Sequence, residues 1–151
     1  MKTDVDLGYI FSDSLIEVIS TFSGFFVSVL SEDRDDSFDG ITCVMAMHGN
    51  KNGTLFFSLA EADVRILCSS ILGIQQDEVT TGDIEDAMCE LLNMIAGSAR
   101  LRLSETDYMF NLVTPFIFKG ENIMLFTKNK TSIISQIIGN STISMKLKVI
   151  Y

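Results

Sequence analysis

Apolar positions recur along this chain with two periods. In residues 13–24, Leu15, Val18, Ile19 and Phe22 share one face at helical spacing, and in residues 60–72 Val64, Leu67, Cys68, Ile71 and Leu72 do the same, with Gly73 as terminator. A third and longer pattern, Met88, Leu91, Leu92, Ile95 and Ala99, predicts a central helix ending near Ser98 or Leu101. Thr81 or Asp83 can cap it after a polar connection over 75–82, and Asp83, Glu85 and Asp86 suit the positive end of its dipole.

Strand-like runs cover 25–30, 41–47, 54–59, 108–113, 115–118, 123–127 and 142–150. In the last, Ile143, Met145, Leu147 and Val149 alternate with Ser144, Lys146, Lys148 and Ile150, which predicts a half-buried strand, polar outward except at its end. Residues 132–138 suit either a strand or a short helix. Pro115 implies a strand edge, entry point or bulge. His48 to Gly53 is a hairpin connection whose Gly and Asn residues tolerate positive φ, and the polar stretch 32–37 is expected to project into solvent. The expected fold is therefore α+β: a mostly antiparallel sheet, two long motif-bearing helices packed on it and a third helix, all in one domain over 1–151.

Composition narrows the function. A content of 47% hydrophobic residues suits one sizeable core, and a net charge of -9 argues against nucleic-acid or anionic-membrane partners, which are bound through Lys and Arg. Apolar runs are far short of the roughly 20 residues needed to span a bilayer, and no apolar segment follows Lys2, so a cytoplasmic location is expected. Cys43, Cys68 and Cys89 are odd in number, widely spaced and without a nearby histidine, so buried reduced thiols are expected rather than disulfides or a metal site. His48 lacks a nucleophile or carboxylate partner and reads as a solvated turn residue. No P-loop, Gly-x-Ser-x-Gly elbow or Cys-x5-Arg loop is present.

The candidate chemistry lies on the polar side of the central helix. Asp86, Glu90, Asn93 and Gly97 follow one another at spacings of four, three and four, so they share a helical stripe opposite the apolar one. Asn and Gly are poor helix-interior residues, Gly by about 1 kcal/mol relative to Ala, which points to a role other than helix stability. Asp13, Glu17, Ser20 and Gly24 repeat the same spacing on the first helix, with Ser20 in place of Asn93. A serine hydroxyl is shorter than an amide and cannot offer a donor and a separate acceptor at the same reach.

The pattern Asp86-x3-Glu90-x2-Asn93 resembles the Asp/Ser-x3-Glu-x2-Asn signature of the CheC, CheX and FliY phosphatases, and the continuation Asn93-Met-Ile-Ala-Gly97-Ser-Ala99 is similar too. Gly53-Thr-Leu-Phe-Phe-Ser58 looks like the family strand before the middle helix, and Thr114-Pro115-Phe-Ile-Phe-Lys-Gly120 like its proline-containing strand. The CheX branch is the most similar, because CheC-type members tend to carry two complete motifs. Residues Asp13, Glu17 and Ser20 then form a degenerate second motif.

The resemblance implies dephosphorylation of a CheY-type response regulator, with Asn93 positioning the attacking water and Glu90 docking to the regulator's lysine. It makes Asp86 and Gly97 partner-contacting positions. It implies no metal or cofactor of the chain's own, Mg²⁺ in the phosphorylated partner's active site, and a homodimer. A non-catalytic domain that binds a regulator or another chemotaxis signalling protein through the same stripe is the alternative. Separately, the alternating strand over 142–150 offers an edge for a structural self-association domain, a third reading that is compatible with phosphatase activity.

Overall fold

Asp6 accepts the Tyr9 amide at 3.0 Å and so starts the first helix, α1 (Leu7–Ser23), which ends at Gly24 in the left-handed region with φ 72°. The computed structural model describes residues 4–32, 37–128, 132–140 and 142–151. Helix α1 begins six residues before the periodicity suggests. Leu7 and Phe11 extend its buried face, while Ser12 and Ser14 on the same side interrupt the apolar pattern although both are buried. Ser14 meets the cost by donating to the Ile10 carbonyl at 2.7 Å.

Strands β1 (Val27–Glu32), β2 (Ser37–Gly49) and β3 (Gly53–Leu59) follow, then helix α2 (Glu61–Leu72), a 3₁₀ turn (Gln76–Glu78) and helix α3 (Thr81–Arg102). The last third of the chain is β4 (Phe110–Asn111), β5 (Phe116–Met124), β6 (Ser132–Gly139) and β7 (Ile143–Ile150). The ambiguous segment 132–138 is thus a strand. Most of the predicted polar connection over 32–37 lies outside the described residues.

All the pairings are antiparallel, in the order β1-β6-β7-β3-β2, with β5 and β4 sharing the remaining edge of β2. The runs at 115–118 and 123–127 are one strand, β5. It stays paired with β2 from Phe116 to Met124 across a register shift opposite Phe38 to Gly40, so Gly120 and Asn122 do not break it. Only Phe110 and Asn111 of 108–113 are strand. The hairpin between β2 and β3 contains no positive φ. Gly49 is needed there for a different reason, the close approach of the Met109 carbonyl, which a Cβ would strike.

The helices cover one face of the sheet. Cys43, Met45 and Met47 of β2, Leu55 and Phe57 of β3 and the alternating Ile143, Met145, Leu147 and Val149 of β7 all enter a core with α1 and α3. The opposite face is not simply solvated. Phe38, Val44, Phe56 and Ile150 form a second apolar cluster with Phe118, Ile123 and Leu125, and Lys148 is 1% exposed beside it. The expectation of an outward polar side on β7 therefore fails past Ser144, because β7 lies inside the sheet, where the larger apolar side chains of β2 and β5 close over its lysine stems. The same placement removes β7 as a free edge, since β6 and β3 pair with its two sides.

Candidate functional site

Helix α3 is fixed at both ends. At its start the Asp83 amide donates to Thr80 Oγ1 and the Thr80 amide to Asp83 Oδ2, each at 3.0 Å, so the cap is Thr80 with Asp83 reciprocating, not Thr81. Near its end Arg100 Nε donates to the Phe110 carbonyl at 2.8 Å and ties the helix to β4. Between them Ile84, Met88, Leu91, Leu92, Ile95, Ala96 and Ala99 are buried. This burial fixes the rotation of the helix, and rotation decides which way the polar stripe looks.

The stripe looks outward. Asp86 and Glu90 are exposed, and Asn93 and Gly97 are half-buried. No hydrogen bond or ion pair engages the side chains of Asp86, Glu90 or Asn93 among the described residues. A Cβ built on Gly97 would meet nothing within 4 Å, so no neighbouring strand presses on it.

The matching stripe on α1 is in another state. Arg102, in the last turn of α3, reaches Glu17 at 2.6 Å and Asp13 at 3.0 Å, and its Nη1 donates to Ser14 Oγ at 2.9 Å. Ser98 Oγ donates to the same Glu17 carboxylate at 3.2 Å. Ser20 turns back on its own helix and donates to the Ile16 carbonyl at 2.5 Å, while Gly24 serves as the helix cap. The sequence reading missed Arg102. Its only local signal is a basic residue suiting the negative end of a helix dipole, and the contact that matters crosses between helices.

Other polar residues take no part. His48 is exposed at the end of β2. Cys43 and Cys68 are buried and Cys89 is half-buried, all as free thiols; burial pushes the Cys68 thiol up to about 11, and burial with Cys89 as neighbour raises Cys43 further. Among the described residues no group of three or more His, Cys, Asp or Glu side chains is arranged to hold a metal, and no helix is long and apolar enough to cross a membrane.

The family model described as Chemotaxis phosphatase CheX matches residues 41–138, which include most of β2 and the whole of β3, α2 and α3. The chain belongs to the CheX family. No curated protein matches it. The CheX fold extends beyond the matched segment. A CheX from Desulfovibrio desulfuricans superposes with a TM-score of 0.82 at 22% identity, over 97% of this chain and 100% of that one. The Vibrio vulnificus CheX gives 0.83 at 17% identity over 99% of both chains. A CheX from Borrelia burgdorferi, seen in complex with CheY, BeF₃ and Mg²⁺, gives 0.84 at 16% identity over 97% of this chain and 98% of that one. Similarity of this kind covers α1 as well as α3, so both helices of the repeat belong to the CheX fold, and in this member one stripe is tied down while the other stands open.

Proposed function

We propose that this protein hydrolyses the aspartyl phosphate of a CheY-type response regulator, with Glu90 and Asn93 of α3 as the residues that act. The observation carrying the reading is the contrast between the two stripes: Glu90 and Asn93 have no partner among the described residues, on a helix held at both ends, whereas Glu17 and Ser20 are engaged internally. A side chain that must enter another protein's active site has to be free and its backbone fixed.

A phosphorylated regulator brings the phosphoryl group, Mg²⁺ and a lysine of its own, so little is asked of this chain. Asn93 presents a carbonyl acceptor and an amide donor from one planar group, which suits holding a water in line with the phosphorus–oxygen bond. The water oxygen bonds to phosphorus as the aspartyl oxygen leaves, giving inorganic phosphate and the regulator's free carboxylate, with no covalent intermediate on this chain. Glu90 pairs with the regulator's lysine through a charge-assisted bond and sets the depth to which Asn93 reaches. Asp86 supports that contact one turn earlier, and Gly97 admits the partner's backbone.

The Borrelia burgdorferi CheX complex supports the choice of partner. A CheY-type substrate also makes the cytoplasm the place of action. A homodimer fits the edge of β5 that pairs with no strand among the described residues, where Phe116 is 60% and Met124 50% exposed, and sedimentation at several concentrations tests it.

The roles separate in an experiment. Asn93→Ala retains binding to the phosphorylated regulator and loses turnover, whereas Glu90→Ala weakens both. Full turnover in Asn93→Ala contradicts the assignment. Binding by the unaltered chain without turnover would make it a non-catalytic interaction domain.

A further inference from the structure

Beside the open stripe lies a groove of about 340 Å³ between the ends of α1 and α2 and the first half of α3. Its apolar lining includes Phe22 of α1, Ile71 and Leu72 of α2 and Met94 of α3, and its polar lining is Asp83, Asp86 and Glu90. Phe22 is 48% and Leu72 46% exposed, though each belongs to an otherwise buried helix face. Ser70 Oγ donates to the Ser23 carbonyl at 2.8 Å and holds the ends of α1 and α2 together, so the two lips are set at a fixed separation.

From this we infer that the groove is the specificity surface for the regulator: it receives an apolar side chain, flanked by a basic residue, from the segment next to the regulator's active-site lysine. The inference rests on the reading of Glu90 as the docking carboxylate and adds the partner's required chemistry. Two features carry it. Asp86 and Glu90 line the groove and belong to the stripe, so a partner whose lysine meets Glu90 lies directly over the groove. The charge lining it is all acidic, which favours an occupant whose apolar group has a cation beside it and disfavours an acidic one.

The lips can be altered without touching Asp86, Glu90 or Asn93. The test compares Phe22→Ser, Leu72→Ser and the double variant with the unaltered chain. Two readouts are taken: the dissociation constant for a CheY-type regulator of the same organism loaded with beryllofluoride and Mg²⁺, and kcat and KM for decay of the phosphorylated form. Each single variant is expected to raise the dissociation constant and KM about tenfold with kcat unchanged, as loss of a contact made equally before and during reaction requires. Leu112→Ser, at an exposed position just after β4, is expected to change neither. Circular dichroism checks folding, and if the double variant does not fold, the single variants decide the outcome.

Wild-type affinity in folded lip variants overturns the groove and leaves the phosphatase reading standing. Binding without accelerated decay overturns the phosphatase reading, while the affinities still judge the groove. A chain that binds none of the organism's regulators overturns both.

Discussion

Arg102 and Glu17 face each other across α3 and α1 at 2.6 Å, and this pair separates the two halves of the repeat. A carboxylate at the position equivalent to Glu90 already holds a cation from its own chain. The partners are 31% and 58% exposed at their side chains, so solvent weakens the pair, and Arg102→Ala is expected to cost about 1 kcal/mol or less even with Asp13 included. Urea unfolding in low salt and in 1 M salt checks this, and the cost should shrink in high salt.

The same pair predicts that Ser20→Asn does not create a second site. In an Asn93→Ala background, Ser20→Asn should leave decay of the phosphorylated regulator at its spontaneous rate, because Glu17 stays occupied by Arg102 and Ser98. Decay kinetics of the double variant measure it, and restored acceleration would show that Arg102 yields to the partner.

Gly97→Ala separates stability from function. Among the described residues the new Cβ meets nothing within 4 Å, so the helix should gain up to about 1 kcal/mol, seen as a raised melting temperature. Close approach of the regulator at this point predicts a higher KM alongside. An unchanged KM would leave the glycine without a docking role.

Much of this was legible from residue order. The helical period located all three helices because each buries a continuous apolar stripe, and the spacing of Asp86, Glu90, Asn93 and Gly97 marked the outward face of α3. What escaped depends on contacts distant in sequence. The start of α1 was hidden by Ser12 and Ser14, polar residues buried on its inner face, with Ser14 satisfied by Ile10 and Arg102. Lys148 is buried beside Phe56, its partner across the strand pair, and Phe38, whose ring lies 5.8 Å from its Nζ, residues about 90 to 110 positions away that alternation along β7 cannot register. Arg102 looked like an ordinary helix-end residue because its carboxylate partners lie on another helix.

Core and surface leucines near the site should differ sharply. Leu92 is fully buried under the stripe, so Leu92→Ala is expected to cost about 2–5 kcal/mol, whereas Leu101→Ala, at a position 73% exposed, should stay within about 0.5 kcal/mol of the parent. Denaturant midpoints at constant slope report both.

The thiols should react in order of exposure. Cys89, half-buried, reacts first with an aromatic disulfide reagent at neutral pH, while Cys43 and Cys68 remain protected until unfolding. Because burial raises the Cys68 thiol from 9.0 to about 11, its contribution to stability is present below pH 9 and is lost as pH rises toward 11. Thermal melts across that window, compared with Cys68→Ala, isolate it.

Whether Asn93 catalyses hydrolysis is decided by the decay of an aspartyl-phosphorylated CheY-type regulator from the same organism, in Mg²⁺, with catalytic amounts of this protein or of Asn93→Ala. Accelerated decay is expected with the unaltered chain and none with folded Asn93→Ala. Equal acceleration by both, or none by the unaltered chain across the organism's regulators, would contradict it.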